Sequence, residues 1–168
     1  SRGQLDISLY QKDISPNGLT LLTSDAGKYT TPGIVHYRGS ITGDPNSVAA
    51  FSFSNNEVSG FISSAQGNYV IGKITDGSEL HILYNDADLL NKPAIECGTN
   101  TKPAIPSSPQ TYFRGNEQAA SLTTKCVNWY WETDYDVFAN KGSVANVNSF
   151  IQGLFNQVAT LYDNDGIS

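Results

Sequence analysis

Two histidines and two cysteines are the residues of this chain best suited to metal binding or nucleophilic chemistry: His36, His81, Cys97 and Cys126. Each histidine lies inside a short apolar run of strand length. A tetrahedral zinc site needs four ligands, and these two imidazoles, 45 residues apart (81 − 36 = 45), are the only ones in the chain. We therefore predict that both histidines are structural and that neither binds a metal.

Cys97 and Cys126 could form a disulfide, because two cysteines in an exported chain commonly pair. The bond would close a loop of 29 residues (126 − 97 = 29) and contribute roughly 3–4 kcal/mol to stability. Export is favoured by the composition, which combines two cysteines and no methionine with abundant Asn, Ser, Thr, Gly and Tyr. We predict a secreted or cell-surface protein.

Acidic residues near the C-terminal end form two short groups. Glu132, Asp134 and Asp136 alternate, so in a β-strand they would share one face, as at a solvated strand edge; a helix-cap contact is the other simple interpretation. Residues Asp163–Asp165 do not have the spacing of a twelve-residue calcium loop. They are typical of the end of a helix.

The charge of the chain excludes some classes of partner. Its formal net charge is −6, and its ten Lys and Arg residues are scattered, whereas nucleic-acid binding depends on clustered basic residues. No run of the sequence approaches the roughly 18 consecutive apolar residues that span a bilayer. We predict a folded protein with neither a nucleic acid nor a membrane as partner.

Short apolar runs, separated by residues that favour turns, fill the sequence from Ile7 to about Tyr84. The clearest runs are 19–22, 34–37, 48–53, 60–62, 69–74 and 80–84. Each has the length of a strand. They predict an antiparallel sheet or small sandwich of six or seven strands.

A change of composition divides the chain. Between residues 93 and 124 several prolines stand among Ser, Thr, Asn and Gly, and proline removes the backbone donors that regular pairing needs. We therefore predict a β-rich domain over residues 1–92, a connector over 93–124 and a separate unit over 125–168. The fold class expected for the whole chain is α+β.

The last unit begins with an aromatic segment, 127–138, whose composition predicts a strand buried on both faces. After it, Gly142-Ser143 offers a helix N-cap. Apolar residues then recur at steps of three and four: Val144, Val147, Ile151, Leu154, Phe155, Val158, Leu161 and Tyr162. Polar residues form the other face: Asn146, Asn148, Gln152, Asn156 and Thr160. The sequence predicts a helix of roughly 20 residues whose apolar stripe must be covered by another element.

Two segments resemble the adamalysin/reprolysin-type zinc metalloproteases, and the bacterial members of that group most of all. Tyr37-Arg38-Gly39 followed by Gly43-Asp44-Pro45-Asn46-Ser47-Val48-Ala49-Ala50-Phe51-Ser52 is similar to the prodomain signature of that family, Tyr-x-Gly running into Gly-Asp-x-x-Ser-x-Ala-x-x-Ser. Val58–Ile62 resembles the next prodomain strand. Trp131–Tyr135, Phe155–Tyr162 and Gly166-Ile167 resemble the opening of the catalytic domain. The resemblance is strongest over 35–62 and 129–167 and weak over 1–30.

The resemblance implies a zymogen. Members of the family cleave peptide bonds with a zinc-bound water, held by an H-E-x-x-H-x-x-G-x-x-H helix. These 168 residues do not contain that motif. The expectation is therefore a chain that is inactive alone: the inhibitory and folding-assisting propeptide of a secreted zinc metalloendopeptidase, together with the first strand and helix of its catalytic domain. Zinc would be bound by the parent enzyme, and the partners would be the remainder of that catalytic domain and the protein substrates of the parent.

The resemblance also gives Cys97 and the acidic group alternative roles. Family prodomains carry a cysteine, often before glycine, whose thiolate occupies the open zinc position, and Cys97-Gly98 stands where such a cysteine switch would lie. A switch and a disulfide with Cys126 exclude each other, and both remain open. Calcium binding near the first strand of related catalytic domains makes Glu132 and Asp134 candidate calcium ligands, although Asn128 stands where the family has its usual Glu.

A different class of function fits the same residues. The β-rich region could be a stand-alone secreted β-sandwich that binds glycan or protein, with the C-terminal helix as its own packing layer. In that case the apolar stripe of the helix should be covered by this chain's own sheet.

Overall fold

The computed structural model describes residues 4–16, 18–24, 29, 33–54, 57–74, 77–91 and 129–167. The chain divides into two units, residues 1–90 with 132–168, and residues 91–131. In the second unit the rings of Trp129 and Trp131 stack with centroids 6.1 Å apart. The first unit combines the β-rich region with the C-terminal helices.

The first unit contains one six-stranded antiparallel sheet in which each strand pairs with the next along the chain, in the order β1-β2-β3-β4-β5-β6. The strands are β1 (Ile7–Gln11), β2 (Ile34–Ile41), β3 (Val48–Ser54), β4 (Glu57–Ser64), β5 (Gly67–Lys73) and β6 (His81–Asn85). A single 3-10 turn, Asp86–Asp88, follows β6. The predicted antiparallel sheet is confirmed, and five of the predicted runs lie wholly or mostly within β2 to β6.

The run Leu19–Leu22 was expected to be a strand, and this prediction is wrong. Strand β1 pairs directly with the second half of β2, from Ile7 opposite Ile41 to Gln11 opposite Tyr37, so the segment between them lies outside the ladder. Leu22 is 78% exposed. The apolar residues make this segment resemble a strand, but no strand among the described residues supplies partners for its backbone.

The two faces of the sheet differ in chemistry. Paired residues in an antiparallel sheet share a face and successive residues alternate, so the register places Ala49, Phe51 and Ile62 together on one face. These three are the buried apolar core, with Ile7, Ile41, Val58, Tyr69 and Ile71 packed against them. The other face carries His36, Ser52 and Ser59, which stand opposite one another on β2, β3 and β4. The apolar core and this polar row therefore lie on opposite sides of one sheet.

Glycine at two positions lets the strands and rings approach closely. A Cβ built on Gly39 would lie 1.8 Å from the Ser8 carbonyl oxygen of β1. One on Gly60 would lie 2.3 Å from the Ala50 carbonyl oxygen and 2.8 Å from a ring carbon of Phe51. No other residue type fits either position without moving the backbone.

The connection between β2 and β3 is a turn built from the residues that carry the prodomain resemblance. Gly43 has a φ of +86°, and the Asp44 carboxylate accepts the Asn46 backbone N–H at 3.1 Å. The Ser47 hydroxyl accepts the Ile41 N–H at 2.8 Å and donates to the Asp44 carbonyl at 2.7 Å. The Asp44 side chain therefore caps the turn locally, and Ser47 closes it.

The aromatic segment near the C-terminal end was predicted as a strand, and for its described part, 129–138, this prediction is wrong. Residues 129–134 form no regular element, and helix α1 runs over Tyr135–Lys141. The Asp134 carboxylate caps the helix by accepting the Val137 N–H at 3.2 Å, and Gly142, in the left-handed region, ends it. These two end signals outweigh the strand propensity of the aromatic residues.

Helix α2 runs over Val144–Asn164, close to its predicted bounds. The Ser143 hydroxyl is its N-cap, accepting the Asn146 N–H at 3.1 Å, as predicted. At the other end the Ile167 N–H bonds to the Tyr162 carbonyl, and Gly166 has a φ of +77°. Among the described residues, neither helix has the length and apolar character that a membrane-spanning segment requires.

Candidate functional site

Helix α2 packs on the polar face of the sheet with its own polar side. Its buried residues are Asn148, Ser149, Gln152, Gly153, Asn156 and Thr160. Asn156 is completely buried, and a Cβ on Gly153 would lie 3.1 Å from the Ser59 hydroxyl, so the helix backbone runs close to β3 and β4. The contact is therefore close and lined mainly by polar side chains.

The apolar stripe of α2 points away from the sheet. Leu154 and Val158 are two residues before and after Asn156, so each is rotated by about 200° from it around the helix. Both are half-buried, and Leu161 is 48% exposed. The sequence pattern correctly separates the two sides of α2, but the side that meets the sheet is the polar one.

Asn156 is the centre of the contact. Its Oδ1 accepts from Arg38 Nε at 3.1 Å, and its Nδ2 donates to the Phe51 carbonyl at 3.1 Å. The same Nδ2 lies 3.4 Å from the Tyr37 carbonyl and 3.4 Å from Ser52 Oγ. One amide thus bonds to backbone and side chains of both β2 and β3.

Arg38 brings a positive charge into the contact. The residue is 4% exposed, and its guanidinium forms an ion pair with the Asp163 carboxylate, which is 35% exposed at the end of α2. A buried guanidinium is costly unless its donors are used. Among the described residues, the acceptors for Arg38 are Asn156 and Asp163, both on α2. The guanidinium charge on β2 is therefore compensated only when α2 is in place.

The hydrogen-bond network of Asn156 extends to His36. Arginine can only donate, so Asn156 Oδ1 is the acceptor and its Nδ2 is a donor. Ser52 Oγ lies 3.4 Å from that Nδ2 and 2.8 Å from His36 Nδ1, so the hydroxyl links Asn156 to the imidazole ring.

His36 is held in its neutral form. Burial lowers the pKa of His36 from its ordinary value of 6.5; the Gln152 side chain opposes this shift, Arg38 adds to it and Asp13 opposes it. The Gln152 amide lies near the ring, yet His36 Nε2 makes no hydrogen bond to any described residue. On α2, three more buried polar atoms have no partner in the described part of the chain: Asn148 Nδ2, Ser149 Oγ and Gln152 Nε2.

The pair formed by Ser52 and His36 has the 2.8 Å spacing of a nucleophile and its base, but it is not placed for catalysis. Both residues lie beneath α2, 3% and 5% exposed, and the hydroxyl is taken up by the network just described. The chemistry that this arrangement supports is selective non-covalent contact between a helix and a sheet.

The predicted site residues lie elsewhere or outside the described structure. Cys97 and Cys126 are outside the described residues, so neither the disulfide nor the cysteine switch can be placed. Glu132 is exposed, and Asp134 caps α1 through its carboxylate. No group of three or more His, Cys, Asp or Glu residues that could hold a metal ion occurs within the described ranges. His81 Nε2 accepts the Val58 N–H at 3.0 Å, a structural bond.

Sequence reasoning missed Arg38 and Asn156, although each carried a signal. Arg38 stands two residues after His36 in an apolar strand, so the two side chains share one face of the sheet. A guanidinium within such a strand needs hydrogen-bond acceptors. Asn148, Gln152, Asn156 and Thr160 follow one another at four-residue steps, which makes a continuous polar row along α2.

Comparison of the chain with protein-family models, with curated proteins and with solved structures found no match in any of the three.

Proposed function

We propose that this chain is the propeptide region of a secreted zinc metalloendopeptidase, joined to the first elements of the catalytic domain. The sheet of residues 1–92 keeps the protease latent and assists its folding, and α2 is the first long helix of the enzyme. The proposal begins from the resemblance of residues 35–62 and 129–167 to the adamalysin/reprolysin group. The orientation of α2 is the structural observation that carries it.

An amphipathic helix of a complete domain usually turns its apolar stripe toward the core of that domain. In α2 the stripe points away from the sheet, and the polar row contacts it. This arrangement fits a helix with two neighbours: the sheet on its polar side and the body of an enzyme domain on its apolar side. It argues against the stand-alone binding module, for which the sheet should cover the stripe.

The chemistry of the contact suits a propeptide. Interfaces between proteins that separate are more polar than domain cores, and they use a few buried hydrogen-bonded anchors. The contact of α2 with the sheet has this character, with Asn156 and Arg38 as anchors. Such a contact can hold the enzyme in place during folding and be lost later without exposing a large apolar surface of the sheet.

Zinc belongs to the parent enzyme in this proposal. The described residues do not fit a zinc site: His36 lies on the polar face of the sheet, and His81 is bound to Val58 on the apolar face. No step of the proposed function therefore passes through a metal bound to this part of the chain. Calcium at Glu132 and Asp134 stays a prediction of the family resemblance.

Two experiments test the proposal. The natural reading frame should continue beyond residue 168 and encode H-E-x-x-H-x-x-G-x-x-H within about 150 residues, a typical domain length. The parent protein should then digest casein in a chelator-sensitive way only after its propeptide is removed, and the purified 168-residue chain, added back, should inhibit it. A reading frame without that motif, or casein digestion by the 168-residue chain alone, rejects the proposal.

The cysteines need their own measurement. A free-thiol titration of the unreduced 168-residue chain separates the two roles left open for Cys97. Two reactive thiols leave Cys97 available as a zinc ligand, whereas none indicates a disulfide with Cys126 and removes the switch.

A further inference from the structure

Strand β1 forms one edge of the sheet, away from the strands on which α2 chiefly packs. The helix lies mainly on β3 and on its neighbours β2 and β4. The side chains of Ser8, Leu9, Tyr10 and Gln11 are exposed. Among the described residues, no strand pairs with the outer side of β1. This edge of the sheet is therefore open to another strand.

The hydrogen bonds at the two ends of β1 show which of its backbone groups face outward. The Thr42 N–H donates to the Asp6 carbonyl at 2.8 Å, and the Lys12 N–H donates to the His36 carbonyl at 2.8 Å. Successive residues of a strand point their backbone groups to opposite sides, so the even-numbered residues from 6 to 12 face β2. The outward N–H and C=O groups are those of the odd-numbered residues, Ile7, Leu9 and Gln11.

Strand β1 lacks the features that usually protect an open edge. Proteins protect such edges with charged side chains, proline or a bulge. Strand Ile7–Gln11 contains no charged residue and no proline, and its pairing with β2 runs without a break along its whole length. A regular edge of this kind is suited to accept an added strand through its backbone groups.

The outward backbone groups of β1 are complementary to those of a second β1. When two copies lie antiparallel with Leu9 opposite Leu9, Ile7 of each copy lies opposite Gln11 of the other. All of these residues point their N–H and C=O groups toward the new partner, so each opposed pair can exchange two hydrogen bonds. The two-fold axis then passes through the pair of Leu9 residues, and the geometry is that of an ordinary antiparallel ladder.

The charges at the ends of β1 match in the same register. Asp6 of each copy lies opposite Lys12 of the other copy, so an opposite-charge pair stands at both ends of the interface. Both side chains are exposed, and neither forms an ion pair within the described part of the chain. Their backbone groups face β2, so across the new interface they form non-hydrogen-bonded pairs, in which side chains come closest. This match favours a second copy of the chain as the occupant of the edge.

The opposite edge of the sheet does not match itself in this way. Two copies of β6 centred on Leu83 would place the exposed Leu80 opposite Asp86 of the other copy. Asp86 also begins the 3-10 turn, so the chain leaves its extended path there. Pairing of β1 with β6 of another copy would leave two edges open and produce growing chains of molecules instead of a closed dimer.

We propose that two copies of this chain associate by antiparallel pairing of their β1 strands, with Leu9 on the two-fold axis and Asp6 of each copy paired with Lys12 of the other. The two six-stranded sheets then form one continuous sheet. The interface uses neither α2 nor the cysteines, so it is independent of the propeptide function.

Sedimentation velocity of the purified 168-residue chain under reducing conditions, from micromolar to millimolar concentration, should show a reversible equilibrium between monomer and dimer. Lys12→Glu puts like charges at both ends of the interface, and Asp6→Lys does the same with the opposite sign. Each should weaken the dimer at least about tenfold. One substitution makes the net charge more negative and the other makes it less negative, so overall charge cannot explain a loss in both.

A mixture of the two variants tests the register. In a mixed dimer of Lys12→Glu with Asp6→Lys, opposite charges again face each other at both ends, so an equimolar mixture should dimerise about as strongly as the wild-type chain. The chain that carries both substitutions should also dimerise alone. Both results follow only if residue 6 of one copy lies opposite residue 12 of the other.

Proline substitutions test the backbone pairing. Leu9→Pro removes an outward N–H that β2 does not use, so it should abolish the dimer while far-ultraviolet circular dichroism shows the sheet intact. Leu83→Pro is the matched control on β6. The Ile74 N–H donates to the Leu80 carbonyl, so the N–H of Leu83 also faces outward, and this variant should dimerise like the wild type.

A chain that stays monomeric at every concentration overturns the proposal. So does a dimer that both charge variants retain, a mixture of these variants that stays monomeric, or assembly beyond the dimer. If Leu9→Pro does not fold, the charge variants and their mixture still decide the question. A parent protein without protease activity would reject the propeptide function and leave these measurements unaffected.

Discussion

Arg38 on β2 and Asn156 on α2 are 118 residues apart in the sequence, and their side chains meet with Nε 3.1 Å from Oδ1 beneath the helix. Both residues are almost completely inaccessible, at 4% and 0% exposure. The contact of the helix with the sheet therefore depends on a specific pair of polar groups that only one placement of α2 can bring together.

Replacing Asn156 by alanine should lower the free energy of unfolding by about 2–4 kcal/mol, because Arg38 Nε is left buried without its acceptor and the donors to β3 are lost. Urea denaturation of the purified chain measures the effect. Asn164→Ala, at the exposed last residue of α2, is the matched control and should change stability by less than about 0.5 kcal/mol. Equal effects of the two substitutions would contradict the central role of Asn156.

The ion pair between Arg38 and Asp163 should appear as a coupling free energy between substitutions at the two positions. Asp163→Asn should cost about 1 kcal/mol when Arg38 is present, a modest value because the carboxylate is partly exposed. In an Arg38→Met background the same change should cost almost nothing, since no buried charge remains to be compensated. A double-mutant cycle of unfolding free energies gives the coupling, and simple additivity would show that the pair contributes nothing.

Acidification should destabilise the fold through His36. Burial lowers the pKa of His36 in the folded chain, so the unfolded chain, with a pKa near 6.5, takes up the proton first as the pH falls. Stability is therefore fully present above pH 6.5 and declines below it until the folded chain also becomes protonated. The slope for this one proton cannot exceed about 1.4 kcal/mol per pH unit.

Unfolding free energies measured between pH 8 and pH 5 should show this decline in the wild-type chain and a smaller one in His36→Asn. The charged groups that act on the ring are Arg38 from its own strand and Asp13 from the segment after β1, and α2 contributes the uncharged Gln152. His81→Asn leaves His36 in place and should keep the decline. An identical pH profile for wild type and His36→Asn would refute the assignment.

Gly39 should tolerate no side chain. Gly39→Ala places a methyl group 1.8 Å from the Ser8 carbonyl oxygen and should cost about 1–3 kcal/mol, because β1 must move away from β2. Gly72 is the control in the same sheet: a Cβ there meets nothing within 4 Å, so Gly72→Ala should be neutral or slightly stabilising. Thermal unfolding compares them, and similar midpoints for the two variants would contradict the close approach of the strands.

Local patterns in the sequence predicted most of the secondary structure. Alternating apolar residues located β2 to β6, and three- and four-residue steps located α2 with its Ser143 cap. Where a strand was predicted wrongly, stronger local end signals were present, as with Asp134 and Gly142 around α1. The strand prediction for Leu19–Leu22 was wrong for a different reason, because strand formation depends on a neighbouring strand.

The candidate site could not be predicted in the same way, because its contacts join residues more than a hundred positions apart. The sequence showed the polar row on α2 and a charged residue within β2, but hydrophobic patterning alone assigns such groups to solvent. Their burial becomes favourable only because Arg38, Ser52 and Asn156 satisfy one another. Pairing of this kind is a property of the assembled fold.

The neighbour-to-neighbour order of the six strands has a consequence for synthesis. Every ladder pairing joins strands that are consecutive in the chain, so the sheet needs no residue after Asn85 to complete its pairings. During translation the N-terminal part leaves the ribosome first, well before residues 144–164 are made. The six-stranded sheet can therefore form first and serve as the template on which the helix packs when it emerges from the ribosome.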